Sequence, residues 1–249
     1  MSNQRKPSEK FLQRLAAVDK PASPIRRYKE SDAWLWTEVA AVVIGLAFII
    51  PTAIALWIDL EDRKTQRIAQ AWELVTRPAP GNSGKVPALE YLNSQGISLV
   101  GIDLSTESNG GQSYLGHVDL SHADLYESDL SGATPFRADF SGSILGRANL
   151  SKADLRIADL KETSLVDANL SGADLSGANL YMANFRNANL EYADFELANF
   201  QGARFDGANL PGAKLSFVTS LNQEQLYTVC GSEETLLPDG FTINDCPTN

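Results

Sequence analysis

Residues 168–180 read Ala-Asn-Leu-Ser-Gly-Ala-Asp-Leu-Ser-Gly-Ala-Asn-Leu, with leucine at 170, 175 and 180 and alanine two places before each. The frame holds in both directions: every fifth residue from Leu115 to Leu215 is Leu or Phe, Pro135 excepted. Helices repeat every ~3.6 residues and strands every ~2.0, so neither places a period of five on one face. The chain must coil.

The place two before each large residue is small. From Leu120 on, alanine fills it at Ala123, Ala133, Ala138, Ala148, Ala153, Ala158 and Ala168, then at every step from Ala173 to Ala213; Val118, Ser128, Ser143 and Thr163 are the exceptions. Residues two apart on an extended segment share a side, so each pentad sends one large and one small side chain inward. The other places hold Asp, Asn, Ser, Gly, Lys, Arg and Glu, which suit water and turns. A pentad is therefore a short side followed by a corner.

The unit Ala173-Asp174-Leu175-Ser176-Gly177, seen again at Ala208-Asn209-Leu210, resembles the pentapeptide-repeat proteins, in particular membrane-anchored bacterial members. That resemblance implies an all-β solenoid, a right-handed quadrilateral β-helix of four pentads per coil with short helical caps, its axis filled by the Leu/Phe and Ala residues. Stacking at twenty residues then makes one structural-core column of Leu130, Leu150, Leu170, Leu190 and Leu210. Another runs Leu125, Leu145, Leu165, Phe185, Phe205. Asn149, Asn169, Asn189 and Asn209 are expected to form an amide ladder. Glu127, Arg147 and Asp167 alternate in sign down a corner. Five coils at the usual strand spacing give a rod on the order of 24 Å long, with open ends that need caps.

Upstream, Val39 to Ile58 is uncharged and mostly apolar, enough as a helix to cross the roughly 30 Å hydrocarbon core of a bilayer. Trp34 and Trp36 flank one end and Trp57 the other. Pro51 would kink such a helix, which membrane helices tolerate. Arg5, Lys6, Lys10, Arg14, Lys20, Arg26, Arg27 and Lys29 outnumber Glu9, Asp19 and Glu30 before it. By the positive-inside rule the N-terminus stays cytoplasmic and the repeats lie on the periplasmic or lumenal side. A cleaved signal peptide ending near Ala53, Ile54 and Ala55 is the competing reading; the basic region is too long and the apolar run exceeds the usual length.

The expected organisation is a basic segment at 1–32, a transmembrane helix at 33–58, a helical linker and cap at 59–96, the β-helix at 97–217 and a C-terminal cap and tail at 218–249. Asp59 to Val75 reads as a charged helix with Ile68, Trp72 and Val75 on one stripe. Gly81, Asn82, Ser83, Gly84 and Lys85 resemble a phosphate loop only loosely, since Val86 stands where Ser or Thr belongs, and they read as a turn. Pro87, Leu89, Leu92 and Gly96 mark a short helix lidding a first coil of Ile97, Leu99, Ile102 and Leu104. Those pentads are out of frame with the main run, and the eleven residues from Leu104 to Leu115 are read as two pentads with one residue inserted. The block from Ala71 to Ser105 also resembles the segment before the repeats in membrane-anchored family members. After Leu215, Asn222 and Gln225 form a capping box for a helix through Val229, with Leu226 and Cys230 on one face. The stretch Leu221 to Gly231, then Leu237, Pro238 and Gly240, resembles C-terminal caps of the family.

Cys230 and Cys246 are the only cysteines. They either bridge, as an oxidising compartment allows, or stand as a small buried residue and a tail thiol. His117 and His122 are the only histidines; with Asp119 and Asp124 nearby they would need to converge to bind metal, and adjacent sides of a coil do not make them do so. No nucleophile has a base or oxyanion partner, so neither a catalytic site nor a cofactor is expected.

What remains is surface. Ile157, Gly177, Leu197 and Phe217 share an outward corner, with Tyr181 and Met182, Val166 and Tyr192 on others; an exposed apolar stripe is a candidate partner face. The formal charge of −10 leaves no cationic groove for a phosphate backbone, so direct nucleic-acid binding is not expected. The leading reading is a membrane-tethered scaffold that engages a membrane-associated protein, with end-to-end self-association open. The alternative comes from the resemblance: some family members are acidic rods that mimic DNA and bind type II topoisomerases. Asp154, Asp174 and Asp194 form one acidic column here, and Asp119, Asp139 and Asp159 another.

Overall fold

The computed structural model describes residues 24–77, 84–111 and 113–247. Most of the basic N-terminal segment, residues 1–23, and Gly81 to Ser83 of the loop lie outside the described residues. The chain forms two compact units, Met1–Arg63 and Lys64–Asn249.

The described part of the first unit is helical. Helix α1 (Pro24–Thr76) begins there and runs through Pro51, which has no N–H for the helix ladder. Beside it the Thr52 hydroxyl donates to the carbonyls of Phe48 (2.8 Å) and Ile49 (2.9 Å). From Leu35 the helix is long and apolar enough to cross a membrane, with a mean hydropathy of 2.6 in a window of which none is buried. It continues unbroken into the charged stretch, where Arg63 pairs with Asp59 at 2.9 Å.

In the second unit the last turns of α1 change character. Ala71 and Val75 are buried in the core, with Ile68 and Trp72 packed beside them. A second helix, α2 (Lys85–Ser94), adds Val86, Ala88, Leu89 and Leu92 to the same cluster.

The coils follow, and their register is twenty. Asp129 bridges Asn149, Asn149 bridges Asn169, and Asn169 bridges Asn189, all in parallel. The ladder consists of single bridges separated by turns, because each side of a coil is only one pentad long. At Leu150 the local grammar is complete. Its N–H donates to the Asn169 carbonyl of the next coil (2.7 Å), the Asn149 N–H donates back to Ser128 (2.9 Å), and the Ala153 N–H closes a turn on Leu150 (3.1 Å). The Leu, Phe and Ala series is buried throughout, including Leu125, Leu130, Leu150, Leu170, Leu190 and Leu210. Pro135 is buried as well and forgoes one ladder donation. Toward the C-terminus the Phe side chains fill the axis, Phe185 and Phe205 stacking at 5.1 Å with planes 4° apart.

Where an outward Asp or Asn precedes the large residue, it has a structural task of its own. Its side-chain oxygen accepts the backbone N–H two residues on, as Asp139 does from Ser141 (2.8 Å) and Asn169 from Ser171 (3.2 Å). Asx turns of this kind accept either residue, which accounts for the free interchange of Asp and Asn. The amide ladder forms on the same oxygens: Asn169 donates to Asn149, Asn189 to Asn169 and Asn209 to Asn189, at 3.3, 3.3 and 3.4 Å.

Two expectations need correction. The first is the single residue read as inserted between Leu104 and Leu115. Asp103 bridges Asp129, a stride of twenty-six, so the insertion is six residues and occupies one side of the first coil. The extra chain turns inward: Ser105, Asn109 and Ser113 are buried, and Asn109 accepts a hydrogen bond from Lys85. The second is the C-terminal helix through Val229. The capping box forms, with Asn222 Oδ1 accepting from the Gln225 N–H at 3.0 Å, but only a 3-10 turn at Gln223–Leu226 follows. The last full coil presents unpaired N–H groups, and the chain satisfies them instead: Gly207, Leu210 and Leu215 donate to Thr228, Cys230 and Leu236. Strand β1 (Cys230–Gly231) thus extends the stack, and β2 (Asn244–Asp245) pairs parallel to it. Cys230 and Cys246 form a disulfide there, with Cα atoms 4.6 Å apart.

Candidate interaction surface

From His117 to Gly212, every corner is a turn whose third residue has positive φ. Ile157 (59°), Met182 (55°), Tyr192 (56°) and Leu197 (62°) all occupy it. An L-residue there costs about 1–2 kcal/mol relative to the right-handed region, and a β-branched one is an outlier. Ile157, Met182 and Tyr192 regain contact by leaning over a glycine twenty residues on. The Met182 Cγ would lie 3.2 Å from a Cβ at Gly202, and the Tyr192 ring occupies the space a Cβ at Gly212 would need. Ile157 leans over Gly177 in the same way, at 3.6 Å. Leu197 has no such glycine, because the next residue in its column is Phe217.

This separates the candidate residues. Leu197 and Phe217 are 68% and 65% exposed, and Ile157 and Met182 are 53% each. Tyr181 is half-buried on a different corner, with Lys161 Nζ 5.9 Å from its ring centre. Ile157, Leu197 and Phe217 form one corner; Tyr181 and Met182 share another, so the five residues do not make one face.

Carboxylates line the side of the coil before the apolar corner. Asp154, Asp174 and Asp194 stack in register. Arg156 binds both oxygens of Asp154, at 2.8 and 2.7 Å, and holds that carboxyl below its usual range against the opposing effect of burial. Lys214 donates to Asp194 at 2.8 Å, which raises the lysine. On the side after the corner stand Asp119, Asp139 and Asp159, in no ion pair among the described residues.

The histidines do not converge. His117 meets the edge of Phe136 at 6.2 Å, and His122 lies over Gly142. Among the described residues no group of His, Cys, Asp and Glu could hold a metal ion. His122, Asp119 and Asp124 do line an open groove of about 830 Å³ with Ser98 and with Glu90 and Asn93 of α2.

One buried cation went unread in the sequence. Lys85, 2% exposed, donates to the Val75 carbonyl and to Asn109, next to Asp103. Burial lowers its pKa, and Asp103 opposes that shift. For Asp103, hydrogen bonds from Ser108 and Ser105 and the charge of Lys85 outweigh burial, which is the largest single influence, and the net shift is downward. No local motif marks Lys85. The glycine twenty places after a bulky corner residue was a readable signal, and it distinguishes packed corners from the Leu197 corner.

Residues 136–163, 158–191 and 178–216 match the family model of pentapeptide repeats, in eight copies. Among solved structures the chain is similar to a pentapeptide-repeat protein of the Arabidopsis thaliana thylakoid lumen. The two are 24% identical over 63% of this chain and 81% of that one, with a TM-score of 0.39. It is similar to Rfr23, a pentapeptide-repeat protein of the cyanobacterium Cyanothece: 25% identity, 57% and 88% coverage, TM-score 0.34. It is also similar to QnrB1, a plasmid-mediated fluoroquinolone resistance protein: 21% identity, 59% and 83% coverage, TM-score 0.28. The chain matches no curated protein sequence.

Proposed function

We propose that the chain is a membrane-tethered, non-catalytic interaction module that presents a rigid β-helical stack on the extracytoplasmic side, engaging a membrane-associated protein through exposed corners. The observation that carries the tether is the apolar stretch of α1, none of whose best window has protein cover. Hydrocarbon is the solvent in which twenty bare apolar residues are stable. In this reading the basic residues before α1 keep the N-terminus cytoplasmic. The Cys230–Cys246 disulfide fits an oxidising compartment beyond the membrane. The coil is right-handed, as connections between parallel strands overwhelmingly are.

The alternative, an acidic DNA mimic that binds a type II topoisomerase, draws less support. The Asp columns give way to Asn179 and Asn199, where Asn serves the same turn, and Arg156 and Lys214 neutralise others.

The test is protease treatment of intact spheroplasts, followed by crosslinking and identification of neighbours. Cleavage of the repeats from outside, with the protein resisting carbonate extraction, is the expected result. Protection of the repeats until lysis, or release of a mature chain beginning after Ala55, contradicts the tethered topology.

A further inference from the structure

We propose that the Ile157, Leu197 and Phe217 corner docks a cationic amphipathic segment of the partner protein, an inference that rests on the interaction-module reading above. Three observations meet at this corner. Leu197 and Phe217 are the most exposed apolar side chains of the coils, at 68% and 65%. Leu197 also holds a left-handed backbone, φ 62°, without the glycine contact that covers its counterparts on other corners. An apolar side chain held in a disfavoured conformation and pointed at water gains its contact from something outside the chain.

The third observation chooses the occupant. Asp154, Asp174 and Asp194 line the side of the coil before this corner, and Glu196 adjoins Leu197. Arg156 pairs with Asp154 and reaches Asp174 at 3.8 Å, and Lys214 pairs with Asp194, so two cations face four carboxylates here, and Glu196 is in no ion pair among the described residues. A second copy of this chain carries the same net charge of −10 and the same acidic border, so like charges would oppose its docking. Anionic headgroups meet the same obstacle. A segment with an apolar stripe and lysine or arginine beside it matches both features. From Ile157 to Phe217 is three coil steps, roughly 14 Å at the usual strand spacing, or about ten residues of a partner α-helix.

The experiment uses the full-length chain in detergent micelles and a fluorescent Leu/Lys amphipathic helical peptide, with a Leu/Glu peptide of the same pattern as control. The expected result is saturable binding of the Leu/Lys peptide that weakens with salt. Leu197→Ser with Phe217→Ser should lower its affinity about tenfold or more. Asp174→Asn with Asp194→Asn should lower it several-fold, and Glu127→Gln with Asp167→Asn on a distant corner should leave it within about twofold. All these side chains are exposed or tolerate Asn in the same turn, and unchanged unfolding midpoints check that each variant folds.

Equal losses from both charge pairs, or no loss from the Leu197 and Phe217 pair, overturn the proposal. So does self-association abolished by Leu197→Ser and Phe217→Ser, which assigns the face to a second copy, or equal binding to phosphatidylglycerol vesicles, which assigns it to lipid. The broader reading fails separately: it fails if those two substitutions leave every crosslinked neighbour in place. Loss of neighbours without charge dependence removes only the cationic partner.

Discussion

The Nζ of Lys85 donates to the carbonyl of Val75, 3.1 Å away, at the C-terminal end of α1. The last carbonyls of a helix have no intrahelical donor, and a cation there also meets the negative end of the helix dipole. The last turn of α1 has no basic residue of its own, so α2 supplies one from its first position. Asn109, reached only because the first coil carries six extra residues, takes the second hydrogen bond.

Lys85→Met should therefore destabilise the second unit by about 1–3 kcal/mol, since it strands a buried carbonyl and a buried amide. A pH series provides a second readout. Burial lowers the Lys85 pKa below the ordinary lysine value, so between the two values the unfolded chain binds the proton better and stability rises with pH. Urea unfolding of wild type should show this alkaline gain, and Lys85→Met should lack it.

Leu170 is fully buried and Ser171 begins a corner. Leu170→Ala should cost about 2–5 kcal/mol, and Ser171→Ala should stay within about 0.5 kcal/mol. Chemical denaturation of the two variants measures the difference, and equal midpoints would remove the inward assignment.

Gly212 has φ +67° and lies under the Tyr192 ring. Gly212→Ala meets both the left-handed backbone and the ring, for an expected loss of about 1–3 kcal/mol. Adding Tyr192→Ala removes the clash but not the backbone cost, so the double variant should recover part of the loss. Simple additivity in that cycle would show that the ring does not cover the glycine.

The Cys230–Cys246 bridge closes a segment with a sequence separation of 16 and holds β2 against β1. Cys246→Ser should lower stability by about 3 kcal/mol on the loop-entropy model. Reductant should bring wild type to the same midpoint and leave the variant unmoved. The denatured, unreduced protein should titrate no free thiol.

Much of this was legible because one rule repeats. The period of five at Leu170, Leu175 and Leu180 requires a coil, and a twenty-residue stride then places Arg147 beside Glu127, at 3.3 Å. Legibility ended where the rule did. The first-coil insertion brings Asn109 to Lys85, twenty-four residues away in sequence, and no periodicity reports such a pair. At the other end the capping box at Asn222 was readable, but the length of the turn was not. The open N–H groups of Gly207, Leu210 and Leu215 decided it, and they exist only once the coils are stacked. The candidate face was half legible. Exposure at Leu197 followed from its corner position, whereas the cover that Gly202 gives Met182 follows only from comparing residues a full coil apart.

The twenty-residue stride underlies the core, the corners and the face alike, and paired cysteines measure it directly. Ser151 and Ser171 occupy the same corner in successive coils, roughly 4.8 Å apart, within the reach of a disulfide. Mild oxidation of the Ser151→Cys, Ser171→Cys variant should close a new crosslink nearly completely, and the Ser151→Cys, Ser176→Cys variant should close none. Crosslinking of the second pair, or failure of the first in folded protein, would contradict the coil of four pentads and everything built on it.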